Sequence, residues 1–186
     1  MSALYVVTSN YSKFNELKSI ASKYGVNIEM LDVPKFEIQH DDLEAIASYA
    51  ALAAALIARK PLIVEDSGLF IESLNGFPGA LSSYVYKKIG IAGILKVLEG
   101  LSNRRAYFKS VIAYASIDYN IKLFTGVVYG RISEKARGSN GFGFDPIFIP
   151  DGDTRTFAEM ELEDKNRLSH RGAAFRKFLE WFINSF

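Results

Sequence analysis

The sequence of 186 residues contains no cysteine and only two histidines. A chain without cysteine forms no disulfide bond, thiolate nucleophile, zinc finger or iron–sulfur site, and its composition is compatible with a reducing cytoplasm. Two histidines are too few for a histidine-rich metal site, so oxygen atoms would have to ligate any bound metal. Any metal chemistry is therefore expected to use carboxylates and a hard cation.

The chain also lacks an excess of charge of either sign, since 22 lysine and arginine residues balance 21 aspartate and glutamate residues. This balance provides no bulk positive field for a nucleic-acid backbone, so nucleic-acid binding is not expected and any anion site must be local. The apolar run at residues 4–8 and the Ala-rich segment 45–58 are both shorter than the roughly 18 to 20 residues of a membrane span. We expect a soluble, cytoplasmic protein with no membrane partner.

Patterns typical of strands and helices alternate in the first half of the chain. Residues 4–8 predict a buried strand, and a polar turn and an amphipathic helix follow it. An Ala-rich helix comes next, with Asp41 as the expected N-cap and Glu44 three residues later. Residues 62–64 predict a short buried strand that ends at the segment 65–68, and residues 69–71 resume strand character.

The second half of the chain predicts antiparallel strands between two helical segments. Residues 81–98 have a helical pattern with a break at Gly90. Residues 106–115 and 121–131 predict an antiparallel hairpin, so the sheet is expected to be mixed. The last helix is amphipathic, and Ser169 is its expected N-cap.

Two segments carry polar residues where α/β proteins often bind ligands. The segment from Thr8 to Lys13 joins a strand to a helix N-terminus, where backbone N–H groups and the helix dipole favour an anion. The same residues also suit an ordinary capped helix with a surface lysine. Glu65 and Asp66 follow a buried strand, where they could bind Mg²⁺ or where Asp66 could cap a turn.

Two further segments lie in the last third of the chain. Phe142 and Phe144 could stack on a nucleobase while Asp145 accepts a hydrogen bond, although an aromatic core cluster explains the same residues. Arg171 in the first turn of the last helix opposes the helix dipole, and such a local conflict points to function. His170 alone also suits a structural histidine.

Taken together, these segments resemble the inosine triphosphate pyrophosphatase family over nearly the whole chain. The motifs that carry the resemblance are Thr8-Ser9-Asn10 with Lys13 and Glu16, Glu65-Asp66-Ser67-Gly68-Leu69, Gly76-Phe77-Pro78-Gly79, Phe142-Gly143-Phe144-Asp145-Pro146-Ile147-Phe148, and Lys165-Asn166 with Ser169-His170-Arg171. The resemblance implies one domain of residues 1–186, in which an elongated mixed sheet and flanking helices form two lobes around a substrate cleft. It also implies a homodimer that hydrolyses ITP, dITP and XTP to the monophosphate and pyrophosphate with Mg²⁺.

The resemblance further implies a role for each site residue. The residues expected to hold the triphosphate are Thr8, Ser9, Asn10 and Lys13, and Lys13 would also neutralise the leaving pyrophosphate. Asp66 would ligate Mg²⁺ and accept a proton from the attacking water, Glu37 would be the second metal carboxylate, and Ser67 would contact the substrate. The residues expected to bind and select the base are Phe142, Gly143, Phe144, Asp145, Lys165, His170 and Arg171.

The choice of base has a physical explanation. Hypoxanthine and xanthine present an acceptor oxygen at the position where adenine presents an amino donor. Donors from Lys165, His170 and Arg171 would face another donor if adenine entered, at a cost of roughly 1–3 kcal/mol for each unpaired group. Guanine shares the keto oxygen, and the sequence does not indicate how it would be excluded.

Three positions depart from the family pattern. The Ala-rich helix has no lysine where family members usually direct one at the phosphates, Phe144 replaces an aromatic residue with a polar group, and Leu81 replaces a frequent tyrosine. Two alternatives therefore stay open: a pyrophosphatase for modified pyrimidine triphosphates, and a nucleotide-binding module that has lost turnover. Whether Asp66 activates water directly or through a metal also stays open.

Overall fold

The computed structural model describes residues 3–185, and within this range the chain forms seven strands and five α-helices. The first half contains β1 (Leu4–Val7), α1 (Tyr11–Lys23), β2 (Ile28–Met30), α2 (Leu43–Ala58), β3 (Leu62–Ile71) and β4 (Pro78–Gly79). The second half contains α3 (Ser82–Val97), β5 (Arg105–Ala115), β6 (Ile121–Ile132), β7 (Phe148–Pro150), α4 (Leu162–Leu168) and α5 (His170–Ser185).

All seven strands belong to one mixed sheet. Its order is β2-β1-β3-β5-β6-β7, and β4 pairs with β3 beside this path. β1 runs parallel to β2 and β3, whereas the β3/β5, β5/β6 and β6/β7 pairs are antiparallel. The ladder between β3 and β5 extends from Leu62 opposite Ala115 to Ile71 opposite Ala106. The predicted hairpin and mixed sheet are therefore confirmed.

Three apolar clusters lie along the sheet, two at one end of β3 and one at the other end. One cluster, with Ile63, packs α1 and α5 on one sheet face, and another, with Val64, packs α2 on the opposite face. The third cluster uses the far end of β3, with Leu69 and Ile71, and packs against α3 and the segment around Phe148. The predicted α/β fold with two lobes is confirmed, and the lobes meet at the middle of β3, where the candidate site lies.

Helix α5 approaches the sheet closely at Gly126 of β6. A Cβ atom at Gly126 would lie 2.1 Å from the carbonyl oxygen of His170 and 2.4 Å from the amide nitrogen of Ala174. No side chain larger than hydrogen fits there unless the helix moves. Gly126 therefore fixes the position of the first turn of α5, which carries two of the predicted site residues.

Several predicted boundaries are wrong by a few residues, and one helix was not predicted. β3 runs from Leu62 to Ile71 without the predicted interruption at residues 65–68, because it pairs along its whole length with β5. The N-cap of α2 is Asp42 and not Asp41, since Asp42 Oδ1 accepts a hydrogen bond from Glu44 N at 3.1 Å. The seven-residue helix α4 gave no pattern long enough to recognise.

Other predicted details are confirmed. Gly90 interrupts α3 with a φ of 61°. Ser169 caps α5, because its Oγ accepts a hydrogen bond from Gly172 N at 3.1 Å. None of the helices in residues 3–185 combines the length and apolar character that crossing a membrane requires.

Candidate active site

The loop between β1 and α1 is an ordered helix cap. Thr8 Oγ1 accepts a hydrogen bond from Asn10 N at 3.1 Å, and Asn10 Oδ1 accepts one from Lys13 N at 3.0 Å. Thr8 and Asn10 therefore use these oxygens to shape the loop, while Ser9 is exposed. Lys13 extends from the first turn of α1, and its Nζ lies 2.8 Å from Glu65 Oε2 on β3. The capped-helix and anion-site interpretations are thus compatible, because the cap holds the positive end of α1 and Lys13 in one place.

Glu65 and Asp66 serve two different sides of the sheet, because adjacent side chains of a strand point in opposite directions. Glu65 Oε1 accepts hydrogen bonds from Ser110 Oγ at 2.7 Å and from Arg171 Nε at 3.1 Å. Asp66 Oδ1 accepts a hydrogen bond from Ser67 N at 2.9 Å, and Asp66 Oδ2 lies 3.6 Å from Lys35 Nζ. The two carboxylates therefore form two subsites that share one strand.

Their surroundings shift the pKa values of Glu65 and Asp66 in opposite directions. Burial opposes ionisation of Glu65, but Arg171 and Lys13 outweigh it and hold the pKa of Glu65 well below its usual range. Burial raises the pKa of Asp66, and the nearby lysines Lys35 and Lys13 only partly offset it. Glu65 is therefore a permanent anion within a cation network, whereas Asp66 is the more basic of the two carboxylates and better suited to accept a proton.

Glu37 and Lys35 lie on the loop between β2 and α2. Lys35 Nζ is 2.5 Å from Glu37 Oε1, so this ammonium joins Glu37 to Asp66. Lys35 is not recognisable from the sequence, because it lies in a segment without periodicity and only the fold brings it close to Asp66. No group of three or more Asp, Glu, His or Cys side chains among residues 3–185 could hold a metal. Glu37 and Asp66 still fit Mg²⁺, which commonly takes one or two protein carboxylates and completes its shell with phosphate oxygens and water.

A buried network of charges lies on the other side of β3. Lys165 Nζ is 2.5 Å from both Glu16 Oε1 and Asp145 Oδ2. Arg171 Nη1 is 2.5 Å from Glu16 Oε2, and Arg171 Nη2 donates to Ser67 Oγ at 3.0 Å. Glu16 therefore holds both predicted base-selecting cations in fixed positions. The motif included Glu16, but only the fold shows that this residue reaches partners about 150 positions away.

The two aromatic rings before Pro146 lie in different places. Phe142 is near the charged network, and Phe144 is in the core. The ring of Phe142 lies 4.8 Å from Lys165 Nζ and 5.3 Å from the Arg171 guanidinium carbon. Phe144 is only 4% exposed and belongs to the apolar core, and its ring packs edge-on against the exposed Tyr86. The expectation that Phe144 stacks on a base is therefore not supported by its position, and Phe142 is the better candidate for that contact.

Asp145 contacts its own loop as well as Lys165, and its predicted contact with the base stays a prediction. Asp145 Oδ2 accepts a hydrogen bond from Phe142 N at 2.7 Å in addition to its contact with Lys165. Its carboxylate therefore positions the loop and the lysine. Gly143 has a φ of 62°, a conformation that glycine adopts without strain.

His170 is buried beneath the charged network. It is 3% exposed, and its ring stacks on Phe108 with 4.6 Å between the centroids. Burial, and then the charge of Arg171, hold the pKa of His170 well below 6.5, so the ring is neutral. Its Nδ1 is buried without a hydrogen-bond partner. His170 is therefore as buried as Lys165 and Arg171, its stack on Phe108 fits the structural interpretation, and its role in base selection stays a prediction.

The fold and this site define an α/β protein with two lobes, in which a helix N-terminus, a carboxylate pair and a buried cation network surround the middle of one strand. The chain belongs to the Ham1 family, whose model matches residues 4–181.

Relatives and solved structures agree with this assignment. The chain is 54% identical over 181 residues to a protein of Saccharolobus solfataricus and 51% identical over 178 residues to one of Hyperthermus butylicus, each named dITP/XTP pyrophosphatase. These alignments cover 97% and 96% of this chain and 93% of each relative. A HAM1 protein from Coxiella burnetii has a similar structure, with a TM-score of 0.85 and 32% identity over 97% of this chain and 99% of that chain. The family resemblance that the motifs predicted is confirmed.

Proposed function

We propose that this protein hydrolyses ITP, dITP and XTP to the nucleoside monophosphate and pyrophosphate in a reaction that depends on Mg²⁺. The observation that carries the proposal is the division of β3 between two subsites. Glu65 joins Lys13 of α1 to Arg171 of α5, while Asp66 faces Lys35 and Glu37. A phosphate site and a base site therefore adjoin along one strand, as a nucleoside triphosphate requires. The names of the relatives support the same substrates.

Glu37 and Asp66 would hold the metal. When bound, Mg²⁺ supplies positive charge to the phosphate oxygens and acidifies a coordinated water. Asp66 takes the proton from the attacking water. The bond from the water oxygen to phosphorus forms as the anhydride bond between the α- and β-phosphates breaks, and its electron pair leaves with pyrophosphate. Lys13 and the N-terminus of α1 stabilise the charge that gathers on this leaving group.

Base selection would depend on donors that are fixed before the substrate arrives. Lys165 and Arg171 are held by Glu16, Asp145 and Glu65, so they cannot turn away from an unsuitable base without breaking buried ion pairs. Phe142 covers both cations and offers an aromatic face to the base. A purine with a keto oxygen satisfies such donors, whereas an amino group does not.

The test is pyrophosphate release from a panel of nucleotides with and without Mg²⁺. We expect release from ITP, dITP and XTP, slow turnover of ATP, and almost no activity in Asp66→Asn. Asp118→Asn, in the exposed turn between β5 and β6, is the matched control and should keep full activity. Release of orthophosphate, or equal turnover of ATP and ITP, would contradict the proposal. Preference for modified pyrimidine triphosphates, or tight ITP binding without turnover, would favour one of the two alternatives.

We further propose that the protein acts as a cytoplasmic homodimer. β6 exposes Leu123, Val127 and Tyr129, which alternate along the strand and so share one face. A second copy of the chain would bury this apolar face. Light scattering after size-exclusion chromatography should give the mass of a dimer, and Tyr129→Glu should give that of a monomer. A monomeric wild-type protein at all concentrations would contradict this part of the proposal.

A further inference from the structure

Lys35 occupies the position where a cation shared by Glu37 and Asp66 would bind. Its Nζ lies 2.5 Å from Glu37 Oε1 and 3.6 Å from Asp66 Oδ2, and its side chain is 21% exposed. The other oxygen of Asp66 already accepts the hydrogen bond from Ser67 N. The Asp66 oxygen that is free for a metal is therefore the one that faces the lysine.

Because of their charges, Lys35 and a divalent metal would compete for Glu37 and Asp66. With Lys35 in place, the two carboxylates and the ammonium carry one net negative charge. Adding a divalent cation to that group would leave a net positive charge, which is unfavourable unless an anion arrives as well. The free protein is thus expected to bind a divalent metal weakly, whereas a metal bound to a polyphosphate brings the missing negative charge.

Lys35 also lies next to a helix that provides no positive charge. Helix α2, over residues 43–58, contains no lysine or arginine. Lys109 of β5, which reaches the start of α2, is 2.6 Å from Glu44 and so is already paired. Lys35 lies on the loop that leads into α2, and its flexible four-carbon side chain allows its ammonium to change partners.

We propose that Lys35 is a catalytic residue with two positions: in the free protein it pairs with Glu37 and Asp66 in place of the metal, and when metal and nucleotide bind it turns to the triphosphate. The inference rests on the proposed function, since it assumes a metal and a triphosphate at this site. It explains how the chain provides a phosphate-facing cation that α2 lacks, and it makes metal binding depend on the nucleotide.

The first experiment measures Mn²⁺ binding to the nucleotide-free protein by calorimetry. Lys35→Met should bind Mn²⁺ at least about tenfold more tightly than the wild type, because the competing ammonium is gone. Lys35→Arg keeps the charge and should stay close to the wild type. Lys23→Met removes a surface lysine that pairs with Glu163, and it should not change the affinity. Unchanged or weaker Mn²⁺ binding by Lys35→Met, with a thermal melt showing that the variant is folded, would overturn the first position.

The second experiment measures ITP turnover at saturating Mg²⁺. Lys35→Met should raise KM for ITP by about tenfold or more, equivalent to about 1.4 kcal/mol, because one phosphate contact is lost. An unchanged KM would overturn the second position. A wild-type protein that releases no pyrophosphate from ITP would refute the proposed function instead, and the Mn²⁺ comparison would still decide whether Lys35 competes with a metal.

Discussion

Replacing Glu65 by glutamine tests whether the buried network stabilises the fold as well as the site. The change preserves the size of the side chain and one acceptor oxygen, but it removes the charge that faces Arg171 and Lys13. Removing one partner of a buried ion pair usually costs about 3–5 kcal/mol. Arg171 keeps Glu16, and Lys13 is partly exposed, so we expect a loss near the lower limit, about 3 kcal/mol at neutral pH.

Urea unfolding followed by circular dichroism measures this loss. With a slope of about 2 kcal/mol per M, a loss of about 3 kcal/mol lowers the midpoint by about 1.5 M urea. Ser110→Ala removes only the hydroxyl that donates to Glu65, so it should cost about 1 kcal/mol and serves as the control. A Glu65→Gln midpoint equal to that of the wild type would refute the reasoning that these charges support one another.

The stability difference between the wild type and Glu65→Gln should depend on pH in one direction. The pKa of Glu65 is lower in the folded protein than its usual value of 4.5, so the unfolded chain takes up the proton first. The stabilisation is therefore fully present above about pH 4.5 and is lost as the pH falls below that value. Wild type and Glu65→Gln should differ equally at pH 7 and pH 5.5, and a difference that disappears between these values would contradict the assigned pKa direction.

Three further changes test other parts of the molecule. Gly126→Ala should displace the first turn of α5 and lower kcat/KM for ITP by about tenfold or more, since its Cβ would lie 2.1 Å from the His170 carbonyl oxygen; unchanged kinetics would contradict this. His170 has a folded pKa below 6.5, so the unfolded state binds the extra proton and stability falls with decreasing pH below about 6.5, by up to about 1.4 kcal/mol per unit. His170→Phe should show a smaller slope in urea unfolding between pH 6.5 and 5, and an equal slope would refute the assignment. Phe142→Leu should raise KM for ITP with little change in kcat, measured by pyrophosphate release, because stacking supports binding; a loss confined to kcat would contradict it.

The sequence predicted most of the elements, because their signals are local. The apolar alternation of the hairpin, the break at Gly90 and the Ser169 cap each depend on a few adjacent residues, and all were confirmed. The end of β3 was misplaced because Glu65 and Asp66 look like the start of a loop. The strand continues through them because it pairs with β5 along its whole length, and Ser110 and Arg171 satisfy the buried Glu65 from β5 and α5.

The site residues were predicted less completely than the helices and strands. Their positions came mainly from the motifs, whereas their partners could not be read from the sequence. Glu16 reaches Lys165 and Arg171 across about 150 positions, and Lys35 meets Asp66 from a loop without periodicity. Phe144 has the aromatic ring that base stacking requires, but its side chain is buried. Ion pairs between distant elements depend on the closed fold, and no local spacing rule predicts them.

The register of β3 is what keeps the two subsites apart. A slip of one residue along β5 would exchange the faces of Glu65 and Asp66, placing Asp66 against Arg171 and Glu65 against Lys35. Gly68 allows β4 to pack closely on this strand, because a Cβ atom there would lie 2.3 Å from the carbonyl oxygen of Gly79 on β4. β4 can approach this closely only where β3 carries glycine, and Gly79 pairs with Leu69, the next residue of β3. The separate chemical roles of Glu65 and Asp66 thus follow from strand pairing, and the charges around each residue then shift its pKa in the direction that its role requires.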